Sequence, residues 1–175
     1  MTGETIVVYT DGGCRGNPGP GGWAYVMRYE SRYREAMGAE PATTNNRMEL
    51  TAVIEALSFL KSRIEEARLA ARQKSALPPS WTQAEIHIFT DSQYVRNGMT
   101  AWIERWKKNG WKTSGRKPVL NRDLWEKLDA LVSQLSPAFE WVEGHAGNPD
   151  NERCDALVQM AIDKMLNAAE QTPQP

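Results

Sequence analysis

Four carboxylates in this chain stand where side chains from distant stretches can converge: Asp11, Glu49, Asp91 and Asp155. Asp11 ends the apolar run Ile6-Val7-Val8-Tyr9, and Asp91 ends Ile86-His87-Ile88-Phe89. Glu49 and Asp155 lie in the first turns of predicted helices. Like charges in one cleft repel, so such a cluster calls for a bound cation, and all-oxygen donors select a hard ion such as Mg²⁺ or Mn²⁺ over zinc. The chemistry implied is metal-assisted attack on a phosphodiester. Two ions about 3.5–4 Å apart activate a water and stabilise the leaving oxygen, one carboxylate bridging them and the others flanking. Asp11, at the end of a central strand, is the natural bridge.

Each acid also has a simpler explanation. Glu49 follows Asn46 by three residues, the spacing of a capping box. Asp11 precedes Gly12-Gly13, as an Asx-turn residue would. Asp91 before Ser92 could cap a helix, and Asp155, five residues after Asp150, could answer a helix dipole. All four coinciding around one strand-end cleft is far less expected than any one of them. His145 lies in Gly144-His145-Ala146-Gly147-Asn148-Pro149, a loop where an imidazole near its ordinary pKa can shuttle protons, or simply face solvent. His87, alternating with Ile86 and Ile88, reads as a structural residue of a sheet face.

The elements that must position these groups follow from periodicity. Residues 5–10 read as a buried strand, and the glycine- and proline-rich stretch from Gly12 to Gly22 as a loop. Residues 23–27 and 33–37 are two further strands of an antiparallel meander joined across 29–32. Leu50, Val53, Ile54, Leu57, Leu60 and Ile64 recur at helical steps, so a helix starts near Arg47 with Asn46 as its cap and runs on to end before Pro78-Pro79. Residues 85–90 form the fourth strand. Short helices follow, one over 92–97 that stops at Gly98 and one from about Ala101. Asn121 to Leu135 is a helix, 139–142 a fifth strand, and Asn151 to about Ala169 the closing helix. The order is βββαβαααβα in a single domain spanning 1–170, with 171–175 as a disordered tail.

The segment Trp102 to Lys112 interleaves tryptophans with cations. Between Trp102 and Lys117 stand six basic residues, Arg105, Lys107, Lys108, Lys112, Arg116 and Lys117, against the one acid Glu104. Such a mixture neutralises phosphates and packs on sugars, as a nucleic-acid groove requires, while some of its rings can anchor the projection to the core. The whole chain, at 175 residues and net charge −1, has ordinary globular composition, so the local patch is more telling than the total. Only two cysteines occur, Cys14 and Cys154, which excludes a disulfide framework and fits a reducing cytoplasm. No stretch approaches the roughly 18 apolar residues of a membrane span.

On five motifs the chain resembles the bacterial type of ribonuclease HI. They are Tyr-Thr-Asp-Gly-Gly-Cys-Arg-Gly-Asn-Pro-Gly-Pro-Gly-Gly (9–22), Thr-Thr-Asn-Asn-Arg-Met-Glu-Leu (43–50), Thr-Asp-Ser-Gln-Tyr-Val (90–95), Trp-Lys-Lys-Asn-Gly-Trp-Lys-Thr (106–113) and Gly-His-Ala-Gly-Asn-Pro-Asp-Asn-Glu-Arg-Cys-Asp (144–155). Any one is weak, but five in series are specific. The resemblance implies an α/β, ribonuclease H-like fold, a five-stranded mixed sheet in the order 3-2-1-4-5 flanked by helices. It implies a monomeric endonuclease that hydrolyses the RNA strand of RNA–DNA hybrids, leaving 5′-phosphate and 3′-hydroxyl ends. Asp11, Glu49, Asp91 and Asp155 would bind two Mg²⁺, Mn²⁺ being the alternative, and His145 would assist proton transfer or product release. By the same carry-over Asn17, Asn45 and Gln93 contact the hybrid near the cut, and Thr44 and Asn121 hold a DNA-strand phosphate. Trp102, Lys107, Lys108, Trp111 and Lys112 belong to the basic protrusion.

Three departures stand out: Ala42 where some relatives carry an arginine at the DNA-phosphate site, Gly13 in place of a commoner serine, and a longer stretch over 62–83. A haloacid-type phosphatase also places an aspartate after its first strand, but it needs a second acid two residues on, where this chain has Gly13. A non-catalytic hybrid-binding module would not need four metal ligands, and transposases and resolvases share the fold without the glycine stretch and protrusion.

Overall fold

The computed structural model describes residues 4–143 and 147–171. Of the tail expected over 171–175, residues 172–175 lie outside the described residues. Five strands, β1 (Thr5–Cys14), β2 (Gly19–Tyr29), β3 (Arg32–Thr43), β4 (Glu85–Thr90) and β5 (Ala138–Trp141), form one sheet in the order β3-β2-β1-β4-β5. β1 pairs antiparallel with β2 and β2 with β3, while β1–β4 and β4–β5 are parallel. The helices are α1 (Asn45–Gln73), α2 (Gln93–Asn97), α3 (Ile103–Lys108), α4 (Arg122–Leu135) and α5 (Pro149–Glu170). The expected element order and strand order are both present.

Strand alternation divides the core in two. Ile6 and Val8 of β1, with Tyr25 and Met27 of β2 and Ile86 and Ile88 of β4, pack beneath α1 and α4. The apolar stripe of α1 that includes Leu50, Val53, Leu57 and Leu60 supplies the other half of that layer, with Trp125 and Leu128 of α4. On the opposite face Ala24 and Val26 meet Cys154, Leu157, Val158 and Ile162 of α5, and Tyr9 packs against them.

The glycine-rich stretch is the main correction to the sequence reading. It is not a loop: Gly12, Gly13 and Cys14 continue β1, Gly19 to Gly22 begin β2, and only residues 15–18 turn. The glycines serve close approach instead. A methyl group on Gly12 would stand 2.3 Å from the carbonyl carbon of Met48, and one on Gly22 would stand 2.9 Å from the Val158 oxygen. Both flanking helices therefore lie against bare backbone. A sequence reader sees low strand propensity there, whereas the tertiary contact favours the absence of side chains.

Other boundaries moved for local reasons. α1 begins at Asn45 and its cap is Thr44, not Asn46; the Thr44 hydroxyl accepts from the Arg47 amide at 3.3 Å. The helix does run on to Gln73 before the two prolines, and Arg68 of that extension donates to the Thr82 carbonyl at 3.1 Å. α2 ends at Asn97 with Gly98 at its cap position, as expected, but Gly98 keeps a right-handed helical backbone and does not break the chain's helical course. The chain continues from α2 through a wide π-type turn over Gly98–Trp102 into α3, with Gly98 bare because the Trp125 ring fills the space its side chain would take. α5 starts at Pro149, two residues before the expected Asn151, because Asn148 caps it and proline suits its first position.

Gly12→Ala, which drives a Cβ into the α1 backbone, is expected to destabilise the protein by about 3 kcal/mol or more in urea unfolding. A loss below about 1 kcal/mol would show that α1 is not seated on β1 as described.

Candidate active site

Register alone brings the first two acids together. Tyr9 of β1 lies beside Phe89 of β4, and their rings stack at 4.9 Å. Two residues further along each chain stand Asp11 and Asp91, on the same side of the sheet by the alternation of strands. Glu49 arrives from α1, which can come this close only because Gly12 has no side chain. One carboxylate oxygen from each of Asp11, Glu49 and Asp91 lies within 4.8 Å of the others.

Asp155 does not belong to that trio. It is exposed on α5, yet its charge is one of the causes that raise the pKa of Asp11. The helix that carries it is firmly placed. Asn148 caps α5 by accepting from the amides of Asp150 and Asn151 at 3.0 and 3.1 Å, and its own amide donates to the Tyr9 hydroxyl at 3.0 Å. Arg28 pairs with Asp150 through two hydrogen bonds of 2.6 and 2.7 Å, and Arg153 pairs with Glu35 through two of 2.9 and 2.7 Å. Tyr9, Arg28 and Asn148 thus position the fourth acid, and the sequence reading missed them. The Asn-Pro pair at 148–149 was the available signal.

The simpler explanations for each acid fail in the structure. Thr44 caps α1, which leaves Glu49 in the second turn, and Asp11 sits in a strand opposite Ala24. Ser92, whose hydroxyl accepts from the Val95 amide at 3.2 Å, caps α2 in place of Asp91. Asp155 lies six residues past the first residue of α5, beyond its first turn.

Electrostatics mark the trio as strained when metal-free. Burial, then the charges of Asp91 and Asp155, push Asp11 up from 3.8 to about 7, against a backbone hydrogen bond from Gly12 that favours ionisation. Glu49 is raised well above its ordinary value, chiefly by burial and then by Asp11 and Asp91. Its Oε2 atom is sealed from solvent and has no hydrogen-bond partner. A carboxylate with an orphaned oxygen, grouped with two further carboxylates, is what a hard divalent cation satisfies, so the residues fit the metal that the sequence implies.

Around the trio, Asn17 and Asn45 are linked through their side-chain carbonyls. Asn45 Oδ1 accepts from the Cys14 amide at 2.7 Å, and Asn17 Oδ1 accepts from the Asn45 amide at 3.2 Å. With both oxygens engaged, the two NH₂ groups are left as donors. Gln93 is exposed at the first position of α2. Asn121 precedes α4 in the left-handed conformation (φ 58°), its side chain held by Tyr94 and Arg47. His145 lies outside the described residues. His87 is held between glutamates, with Nδ1 against Glu140 and Nε2 3.6 Å from Glu85, which supports its structural reading.

The protrusion divides its labour. Trp102 packs on Tyr94 and Trp106, and Trp106 on Trp111 and Trp125, so the tryptophans chain the segment to the core while Trp102 and Trp111 stay half-buried. Lys107 is not a free cation, because it pairs with Glu104 at 3.3 Å and Asp129 at 3.2 Å. Lys108 and Lys112 are exposed, and neither has an ion-pair partner among the described residues.

The RNase H family model matches residues 3–163. Ribonuclease H of Neisseria gonorrhoeae is 52% identical over 152 residues, covering 87% of this chain and 91% of the relative. Among solved structures, LC9-RNase H1, described as a type 1 RNase H with the type 2 active-site motif, superposes with a TM-score of 0.70 at 31% identity, over 94% of this chain and 74% of that one. LC11-RNase H1, solved in complex with an RNA/DNA hybrid, superposes with a TM-score of 0.59 at 28% identity, over 92% and 99%.

The raised carboxylates give a signed pH dependence. An acid whose pKa is higher in the folded than in the unfolded state binds the extra proton only when folded, so stability falls as pH rises from about 4 to about 7. Metal-free protein is therefore expected to have a lower thermal midpoint at pH 8 than at pH 5, and added Mg²⁺ should restore more at pH 8. Asp11→Asn should raise the metal-free midpoint at pH 8. A metal-free midpoint that does not fall between pH 5 and pH 8 would refute the desolvation and mutual repulsion described for Asp11 and Glu49.

Proposed function

The chain belongs to the ribonuclease H family, and on that footing we propose that it is an endonuclease hydrolysing the RNA strand of RNA–DNA hybrids to 5′-phosphate and 3′-hydroxyl products. The observation that carries this reading is the trio Asp11, Glu49 and Asp91 within 4.8 Å, with one oxygen of Glu49 unsatisfied. Asp11, Glu49, Asp91 and Asp155 would hold two Mg²⁺ in the presence of substrate, with Mn²⁺ as the alternative. The bound ions supply positive charge to the scissile phosphate and lower the pKa of an attacking water.

The residues of the chain do the rest. Asp11, raised to about 7 by burial and then by Asp91 and Asp155, would be the shared ligand, so cation binding there would compete with a proton. Asp155 stands off on α5, so its part in ligation depends on the approach of substrate and cations to the cleft. His145 would take or return a proton at the reacting oxygens. Asn17 and Asn45, each with its carbonyl already engaged, present NH₂ donors to 2′-hydroxyls or minor-groove edges, and Gln93 joins them from α2. Contact with the 2′-hydroxyl is what distinguishes RNA from DNA.

The DNA strand would be held at a distance from the cut. Thr44 and Asn121 take one of its phosphates, without help from a cation at Ala42. Lys108 and Lys112 neutralise backbone charge from the protrusion, with Trp102 and Trp111 giving the surface its apolar part. The partner is the hybrid duplex, bound by a monomer in the cytoplasm. Among the described residues no helix is long and apolar enough to cross a membrane.

Asp11→Asn is expected to lower cleavage of a hybrid duplex in Mg²⁺ by about 10³-fold or more, since a ligand charge worth several kcal/mol is removed without change of shape. Cleavage near the wild-type rate would exclude Asp11 as a ligand. Double-stranded RNA and double-stranded DNA should be left intact in the same assay. Lys108→Gln and Lys112→Gln should each reduce the slope of log affinity against log salt, by about 0.9 for each phosphate that is no longer neutralised, with turnover of saturating hybrid preserved. Lys107→Gln should change it less, and equal effects from all three would contradict the pairing of Lys107 with Glu104 and Asp129.

A further inference from the structure

Asn121 occupies the cap position of α4 but makes no capping bond with its side chain. The amide is committed elsewhere. Its Oδ1 accepts from Arg47 Nη1 at 3.3 Å, and its Nδ2 donates to the Tyr94 hydroxyl at 3.1 Å. A guanidinium can only donate, so the atom facing Arg47 must be the oxygen, and this fixes which way the amide points. Arg47 is itself locked by Asp123, to which it donates at 3.1 and 2.9 Å. Tyr94 is locked too. Its hydroxyl accepts a second bond from the buried Trp125 indole at 3.0 Å, and its ring packs on Trp125 at 5.3 Å and on Trp102 at 5.9 Å.

A free asparagine offers an acceptor and two donors in either of two orientations, and an anion meets attraction in one and repulsion in the other. The clamp removes that ambiguity. With the oxygen held by Arg47 and one N–H by Tyr94, a single N–H is left uncommitted by these two partners, and only an acceptor can use it. Thr44, whose hydroxyl oxygen caps the helix that carries Arg47 by accepting from the Arg47 amide at 3.3 Å, keeps its own O–H as a donor.

We propose that Tyr94, through its hydroxyl, and Arg47, held by Asp123, are positioning residues that fix the Asn121 amide as a dedicated donor to a phosphate of the DNA strand. This rests on the reading of Thr44 and Asn121 as the holders of that phosphate. Neither Tyr94 nor Arg47 touches the reacting atoms, and their effect is on grip of the hybrid. Arg47 in particular does not replace the cation missing at Ala42, because its charge is already answered by Asp123.

The test is a double-mutant cycle in steady-state hydrolysis of a hybrid. Asn121→Ala should raise KM roughly tenfold, as loss of one hydrogen bond to a charged oxygen implies, with kcat within about twofold. Tyr94→Phe should raise KM roughly three- to tenfold with the same sparing of kcat, and should add nothing in the Asn121→Ala background. Arg47→Gln, which frees the other end of the amide, should show the same split and is the second variant should Tyr94→Phe fail to fold. A wild-type KM for both Tyr94→Phe and Arg47→Gln beside a raised KM for Asn121→Ala would overturn the clamp and leave the phosphate reading standing. An equal rise in KM with Asn121 already removed would also overturn it, since Tyr94 would then act on its own. A wild-type KM for Asn121→Ala would instead overturn the phosphate reading on which the clamp depends.

Discussion

Placing carboxylates side by side in a cleft that water only partly reaches costs free energy twice, once for desolvation and once for repulsion. In this protein both terms fall on Asp11 and Glu49, whose pKa values rise for those two reasons in that order. The fold tolerates them because its framework fixes all three backbones independently of the charges. β1 and β4 are held by a parallel ladder, and α1 is seated on β1 at Gly12 beneath a continuous apolar layer. The site is therefore preorganised for positive charge before any arrives, and cation binding relieves a penalty already present.

The fourth acid is treated differently, and the difference is physical. Asp155 stands exposed on a helix secured from several directions, by a cap at Asn148, by the Arg28–Asp150 and Arg153–Glu35 pairs, and by Val158 and Ile162 against the sheet. An exposed carboxylate keeps its hydration, so it adds charge to the cleft without adding much desolvation. Three acids close together and one standing off give a site whose inner part is rigid and whose outer part faces solvent, where substrate must arrive.

The same separation of packing from charge runs through the surface around the cleft. Tyr94, Trp102, Trp106, Trp111 and Trp125 form a connected aromatic cluster that ties the projecting α3 segment to α4 and to the core. Cations on that segment differ in availability: Lys107 is answered by two acids, while Lys108 and Lys112 are exposed without an ion pair among the described residues. Polar side chains near the cleft are likewise half-spent on internal bonds. Asn17, Asn45 and Asn121 each use the carbonyl inside the protein, so the hydrogen-bonding capacity that remains to them is mainly that of N–H donors.

The convergence of Asp11, Glu49 and Asp91 and the βββαβαααβα order were legible in the chain, because residue type and apolar period are local properties that one strand or helix carries by itself. β4 was placed to the residue for that reason, its apolar alternation ending cleanly at Thr90. The glycine stretch was misread because a glycine that turns the chain and a glycine that lets a helix touch a strand look the same in sequence. Only the approach of Met48 and Val158 to the bare backbone tells them apart. Tertiary structure also decided that Asp155 stands apart from the trio, that Lys107 is neutralised, and that the Asn121 amide has one orientation. Each of these depends on which distant groups meet, and that is set by how whole elements pack.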